Sequence, residues 1–295
     1  MRFPRRMVAL PVVAALLACG RAAPRATVSL MVDDFGDSVA VGRAAARIVS
    51  LNPVTTEILF AIGAGAKVVG RTHWDTYPAA ALAATDIGDG MQPNVEAILG
   101  VHPDLVVLYA SPSNRAAARQ LHGAGIATIT LRTDHLADFR RAVTWMARAV
   151  GDSAAGAVLA DSVERSITAV AALPHATPGP SVFWHLWDSP LLTAGKGSFL
   201  AELVTIAGGR NVFDDLEAPS PQVAMEELVR RDPDYIVAGP ASAAKLRANP
   251  AWRALRAVRE GRVIVPDTAL VIRPGVRLGE AARELHTLLV PVAPR

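Results

Sequence analysis

Apolar positions recur along this chain with two different periods, and the points where the period changes divide it into elements. Between residues 152 and 174, Leu159, Val163, Ile167 and Val170 follow one another at four, four and three residues, which keeps them on one face of a helix. Gly151 closes the preceding segment, Asp152 or Ser153 offers a cap, and Pro174 forbids continuation. The pattern predicts one helix spanning roughly 30 Å at ~1.5 Å per residue. That is longer than a link between neighbouring elements needs, so it reads as a strut.

On either side of the strut the pattern alternates between strand and helix. Residues 47–51 form an apolar, β-branched run that Asn52-Pro53 breaks; Thr55 and Thr56 then offer caps for a helix through Ile62, which Gly63-Ala64-Gly65 ends. A strand over 67–70, a helix over 94–100, a buried strand over 105–108, a helix over 115–123 and a strand over 127–131 follow. Later strands are expected at 181–183 and 262–265. Ahead of all these, 27–32 and 39–41 alternate enough for a short hairpin, expected to pack on the edge of the first lobe. Strand and helix in alternation argue for an α/β fold with a mostly parallel sheet.

The two halves echo each other. Glu96 opens a helix seven residues before Pro103-Asp104, and Glu226 does the same before Pro233-Asp234; an apolar strand follows each pair. Leu59, Ile62, Gly65 and Val68 likewise match Leu203, Ile206, Gly209 and Val212 at a constant offset of 144. Their shared order on both sides of the strut predicts two related lobes with a cleft between them, a favoured place for a ligand.

Composition changes this picture only at the N-terminus. With 51% hydrophobic and 19% charged residues over 295 positions, the chain has material for two buried cores. Of its 30 basic residues against 27 acidic ones, Arg2, Arg5, Arg6, Arg21 and Arg25 stand in the first 25 positions, where no acidic residue faces them. The remainder is near neutral, which excludes a basic nucleic-acid surface. An apolar run from Met7 to Ala18 follows the first arginines and ends Leu16-Leu17-Ala18-Cys19, the form of an export signal with a lipobox. Plain secretion with an incidental cysteine is the alternative. Cys19 is the sole cysteine, so the folded part has no disulfide and no thiolate. The organisation expected is a signal peptide over 1–19, tether and hairpin over 20–46, a first lobe over 47–151, the interlobe helix over 152–174 and a second lobe over 175–295.

The 47–53 run with Thr56-Glu57-Ile58-Leu59, the loop from Gly70 to Tyr77-Pro78, and Asn94-Val95-Glu96 with Pro103-Asp104-Leu105 resemble the substrate-binding proteins of ABC importers for cobalamin, iron-siderophores and haem. So do the stretches 193–198 and 207–213 and the Glu226 to Asp234 segment. The resemblance covers about residues 45 to 290. It implies two Rossmann-like α/β lobes bridged by a single backbone helix, the class III arrangement, with limited hinge motion. It also implies a periplasmic or extracytoplasmic receptor, lipid-anchored through Cys19, monomeric, without a cofactor, and serving a permease dimer with its ATPase subunits. Glu96 and Glu226 would dock onto that dimer, one per subunit, although both are also ordinary exposed glutamates at helix starts.

For the ligand, Trp74 stands where the cobalamin receptors of this family place an aromatic, and Asp75 and Tyr77 flank it. Trp184, His185 and Trp187 come from the corresponding region of the second lobe, and Arg273 and Arg277 are candidates for a polar group on the ligand. Core packing competes for each aromatic, and solvent for each arginine. The family's further tryptophans before the two glutamate helices are missing; residues 88–90 and Ser220 stand there instead. Cobalamin or a related corrinoid is the first expectation, with haem and ferric siderophores as alternatives. Of seven histidines, none shares an i, i+4 helical face with another, and a zinc or manganese site would have to gather His73, Asp75 and His185. A haem reading would use His185 as an axial ligand. Gly-x-Ser-x-Gly and Walker A sequences are both missing, which speaks against an enzyme.

Overall fold

The computed structural model describes residues 29–41 and 43–290. The export signal, Cys19 and the tether lie outside the described residues. A hairpin of β1 (Ser29–Val32) and β2 (Ser38–Val41) comes first. Asp33, 5% exposed, fixes its turn by accepting from the backbone N–H of Phe35 and Asp37. The same carboxylate accepts from Thr130, so the hairpin is held to the outer strand of the first sheet.

The first lobe runs β3 (Ile48–Ser50), α1 (Pro53–Ala61), β4 (Val68–Arg71), β5 (Thr85–Asp86), α2 (Val95–Gly100), β6 (Leu105–Tyr109), α3 (Asn114–Gly123), β7 (Ala127–Leu131) and α4 (Leu136–Val150). Its five strands are all parallel in the order β5-β4-β3-β6-β7. The β6 run Leu105 to Leu108 is buried on both faces, as a sheet between two helical layers requires. The start of α1 corrects the sequence reading. Asn52 is the cap, its side chain accepting from Val54 N at 2.9 Å, and Pro53 takes the first helical position, where its missing N–H costs nothing. Thr55 and Thr56 lie one turn inside and are buried, Thr55 bonding back to the Asn52 carbonyl.

The strut is α5 (Ser153–Ala171), capped by Asp152, whose carboxylate accepts from Ala155 N at 2.9 Å. Ala160 and Val163 sit in the first lobe's core and Val170 in that of the second. One helix thus serves two cores, and each fully buried valine contributes about 1.5–3 kcal/mol.

The second lobe comprises β8 (Ser181–Asp188), β9 (Leu191–Thr193), α6 (Phe199–Ile206), β10 (Arg210–Asn211), α7 (Met225–Arg231), β11 (Tyr235–Val237), α8 (Pro240–Ala248), α9 (Arg256–Arg259), β12 (Val263–Ile264), α10 (Thr268–Val271) and α11 (Leu278–Leu289). Its parallel order is β10-β8-β11-β12, with β9 folded back antiparallel on β8. The internal echo has a physical basis here. Asp104 accepts from the N–H of Ala46 and Arg47 at 2.8 and 3.0 Å, just ahead of β3. Asp234 accepts from Ser181 N at 2.8 Å, at the start of β8. Each Pro-Asp pair therefore staples the head of its lobe's central strand. The residues before the two prolines, His102 and Asp232, are the two non-glycine residues with positive φ among the described residues, at 48° and 38°.

Candidate ligand-binding cleft

In an open parallel sheet the carboxyl ends of the strands, with their loops, are where a ligand can be met. A cleft of about 570 Å³ lies there. Leu51 and Asn52 follow β3, Thr72 and Trp74 follow β4, Asp89 to Met91 follow β5, Tyr109 ends β6, and Thr133 and Asp134 follow β7. All five strands of the first lobe contribute. From the second lobe come Phe199, at the start of α6, and Ile272 to Pro274, between α10 and α11. Trp74, Met91 and Ile272 are exposed on the rim at 58%, 48% and 49%, leaving a large apolar surface open to solvent.

The charged groups of the wall are two carboxylates, Asp89 and Asp134, and one guanidinium, Arg273. Asp134 accepts from the Tyr109 hydroxyl at 2.6 Å, and burial together with that carboxylate holds the phenol above its ordinary range. Asp89 accepts from Met91 N at 2.7 Å. Arg273 donates to the Trp74 carbonyl at 2.6 Å, and its other terminal nitrogen lies 3.9 Å from Glu57, which is 2% exposed. Gly90 passes so close to Leu51 that a Cβ would stand 2.3 Å from the Leu51 carbonyl oxygen, so no tryptophan fits at that place.

Of the residues nominated from the sequence, the structure brings Trp74 and Arg273 to the cleft wall. Asp75 lies beneath it, fully buried, taking hydrogen bonds from Thr56 at 2.5 Å and from Thr72. Burial raises its pKa despite those two hydroxyls. It holds the Thr72 to Trp74 loop and does not line the cleft. Tyr77 stands behind that loop under Arg277, whose guanidinium lies 3.8 Å from the ring centroid; neither lines the cleft.

The second-lobe aromatics are the larger correction. The strand β8 continues five residues beyond Phe183, so Trp184, His185 and Trp187 alternate across a sheet where a loop was expected. Trp184 is 4% exposed in the lobe core, between Val182 and Val237. His185 is 3% exposed, packed edge-on against Trp252 and bonded to Asp188 at 2.9 Å; burial lowers its pKa despite that carboxylate. Trp187 is exposed at the β8–β9 end and lies off the cleft wall. Among the described residues no group of three or more His, Cys, Asp or Glu is arranged to hold a metal ion, so His73, Asp75 and His185 do not gather into such a site.

Glu96 and Glu226 occupy the first turns of α2 and α7, both exposed and without an ion-pair partner among the described residues. Their neighbour Glu227, by contrast, is committed to Arg230 and Arg231. No helix of the described residues is long and apolar enough to cross a membrane.

A model of the periplasmic binding protein family matches residues 48–270. The substrate-binding lipoprotein YvrC of Bacillus subtilis, an ABC transporter protein, is 31% identical over 269 residues, covering 88% of this chain and 85% of its own. The vitamin B12-binding protein of Vibrio cholerae is 28% identical over 249 residues, covering 83% and 89%. Among solved structures, the periplasmic heme-binding protein RhuT from Roseiflexus sp. RS-1 in apo form superposes with a TM-score of 0.76 at 26% identity, covering 83% of this chain and 98% of that one.

Proposed function

The chain belongs to the periplasmic binding protein family, and on that premise we propose that it is the extracytoplasmic receptor of an ABC importer, taking cobalamin or a related corrinoid between its lobes. The observation that carries the choice of ligand is the charge of the cleft. Its wall holds two carboxylates, Asp89 and Asp134, while Arg273, its one cation, is already engaged with Trp74 and Glu57. A corrin rim carries primary amides, whose N–H groups suit acceptors. Haem carries two propionates, which would meet those carboxylates with no free cation to offset them. The flat ring rests on Trp74 and the apolar rim, where a rigid aromatic offers contact at low entropic cost. No bond is made or broken in this cycle.

Delivery falls to Glu96 and Glu226, one on each lobe, which dock onto the two permease subunits; their lack of internal partners keeps them available. Rim charges of this kind set orientation and on-rate more than affinity, which suits a receptor that must release its cargo. Cys19 supplies a lipid anchor, and the receptor acts as a monomer. Calorimetric titration of the purified protein with cyanocobalamin, haemin and a ferric siderophore tests the ligand. One-to-one binding of cobalamin that weakens at least about tenfold in Trp74→Ala supports the reading. Binding of haemin alone overturns it, and the residue to replace is then His73, whose ring lies 4.5 Å from that of Trp74 at the cleft rim, rather than the buried His185.

A further inference from the structure

Two carboxylates cross between the lobes, and they do so reciprocally. Glu57, on the first helix of the first lobe, accepts from Val276 N at 3.3 Å, two residues before the last helix of the second lobe begins. Glu202, on the corresponding helix α6 of the second lobe, accepts from Leu136 N at 2.7 Å, the first residue of α4, the last helix of the first lobe. Each carboxylate therefore meets the N-terminal end of the other lobe's last helix, where free N–H groups and the helix dipole favour a negative charge.

Each crossing is doubled by a bond between cleft-wall residues. Arg273 donates to the Trp74 carbonyl at 2.6 Å, beside Glu57. Phe199 N donates to the Asp134 carbonyl at 2.9 Å, beside Glu202. Trp74, Arg273, Asp134 and Phe199 all line the cavity. The fit at Glu57 is close: a Cβ on Gly275 would lie 2.3 Å from its Oε2. It is also incompletely satisfied, because Glu57 Oε1, Arg273 Nη1 and Arg277 Nε are buried without a hydrogen-bond partner. A network retained for stability alone would be saturated, since each such atom costs about 1–3 kcal/mol.

We propose that Glu57 and Glu202 are reciprocal positioning residues: each clasps the other lobe at the N-terminus of its last helix, and together they set the width of the cleft. Neither touches the cavity. They act through Arg273 and Trp74 on one side and through Phe199 and Asp134 on the other. Around Glu57 the facing charges are Arg273, Arg277 and Asp75; around Glu202 the facing titratable group is His135, 3.3 Å away. Burial raises the pKa of Glu57 against the pull of both arginines, so a charge on this carboxylate is costly where it stands.

Hydrogen–deuterium exchange of the full chain without ligand tests the clasp independently of the ligand reading. Glu57→Gln is expected to speed exchange about tenfold in segments 74–77 and 273–277, and Glu202→Gln to do the same in 133–137 and 198–200, with β6 and β11 unchanged. The double variant should also widen the molecule by small-angle scattering. Unchanged exchange in those segments, or an equal rise through both sheets, overturns the proposal. Should Glu57→Gln fail to fold, Gly275→Ala displaces its carboxylate with every charge intact and must free 273–277 in the same way. A final comparison rests on the function proposed above: both glutamine variants should bind cyanocobalamin more weakly than the parent protein. If the parent binds none while the exchange pattern holds, the ligand reading fails and the clasp stands.

Discussion

The two lobes share a frame and differ in what they do with it. In the first, each of five strands ends in a loop that faces the cleft, and those loops supply the wall from Leu51 to Asp134. In the second, the central strand β8 runs on to Asp188 and β9 folds back along it, so the aromatics of that region go to the core and the outer surface. Phe199 and the Ile272 to Pro274 run are what the second lobe offers the cavity. The Pro-Asp staples are common to both lobes, and the strand ends differ. The cleft wall is therefore built mainly from the first lobe.

Four measurements break or sharpen that contrast. Trp184→Ala carries the largest effect, a loss of about 3–5 kcal/mol in denaturant unfolding, because it empties a core position. If it costs less than about 1 kcal/mol, Trp184 is not the core residue described here. Next come the staples. Asp234→Ala should cost about 1–3 kcal/mol, since its carboxylate serves Ser181 and Arg256 together. Asp104→Ala should cost less, its bonds to Ala46 and Arg47 being exposed. A reversed order would undo the equivalence drawn between them. Third, Trp74→Ala should stay within about 0.5 kcal/mol of the parent in stability, while ligand affinity falls; equal losses in both would make Trp74 a structural residue.

The smallest effect is in pH. Burial raises the pKa of Glu57 and of Asp75, so both bind protons more tightly in the folded protein than in the unfolded chain. Their contribution to stability is therefore full below the ordinary carboxylate range and is lost as pH rises through the raised values. In the second lobe, hydrogen bonds from Arg231 and Arg230 hold Asp215 and Glu227 at about 2. Their contribution is present above the ordinary range and is lost as pH falls through about 2. Carboxyl NMR titration of the four side chains should give two values above the ordinary range in the first lobe and two below it in the second. Ordinary values for Glu57 and Asp75 would mean that water reaches the floor of the cleft.

Where the sequence was informative, a local cause was at work. The limits of the strut were legible because Gly151, Asp152 and Pro174 act on their own neighbours, and β7 because an apolar run needs no partner to declare itself. The Glu96 and Glu226 helices were legible from the repeat. Tyr109 and Asp134 were missed, although their signal is plain: both lie at the carboxyl end of a predicted strand. The fate of Trp184 and His185 was harder to read. Val182, Trp184 and Leu186 alternate with Phe183, His185 and Trp187, but both faces are covered, Trp184 lying in one core and His185 against Trp252, almost 70 residues away in sequence. Phe199 and Ile272 join the cleft through tertiary packing alone, and no local pattern marks them.

The strut's double allegiance has a consequence for how the molecule melts. Val163 belongs to one core and Val170 to the other, two turns apart on a single helix, and Leu278 and Leu285 of α11 divide in the same way. Opening either core strips packing from half of a helix that the other half depends on for its own turns. Heat should therefore meet one cooperative unit rather than two, and a ligand bound at the interface would be felt by the entire transition.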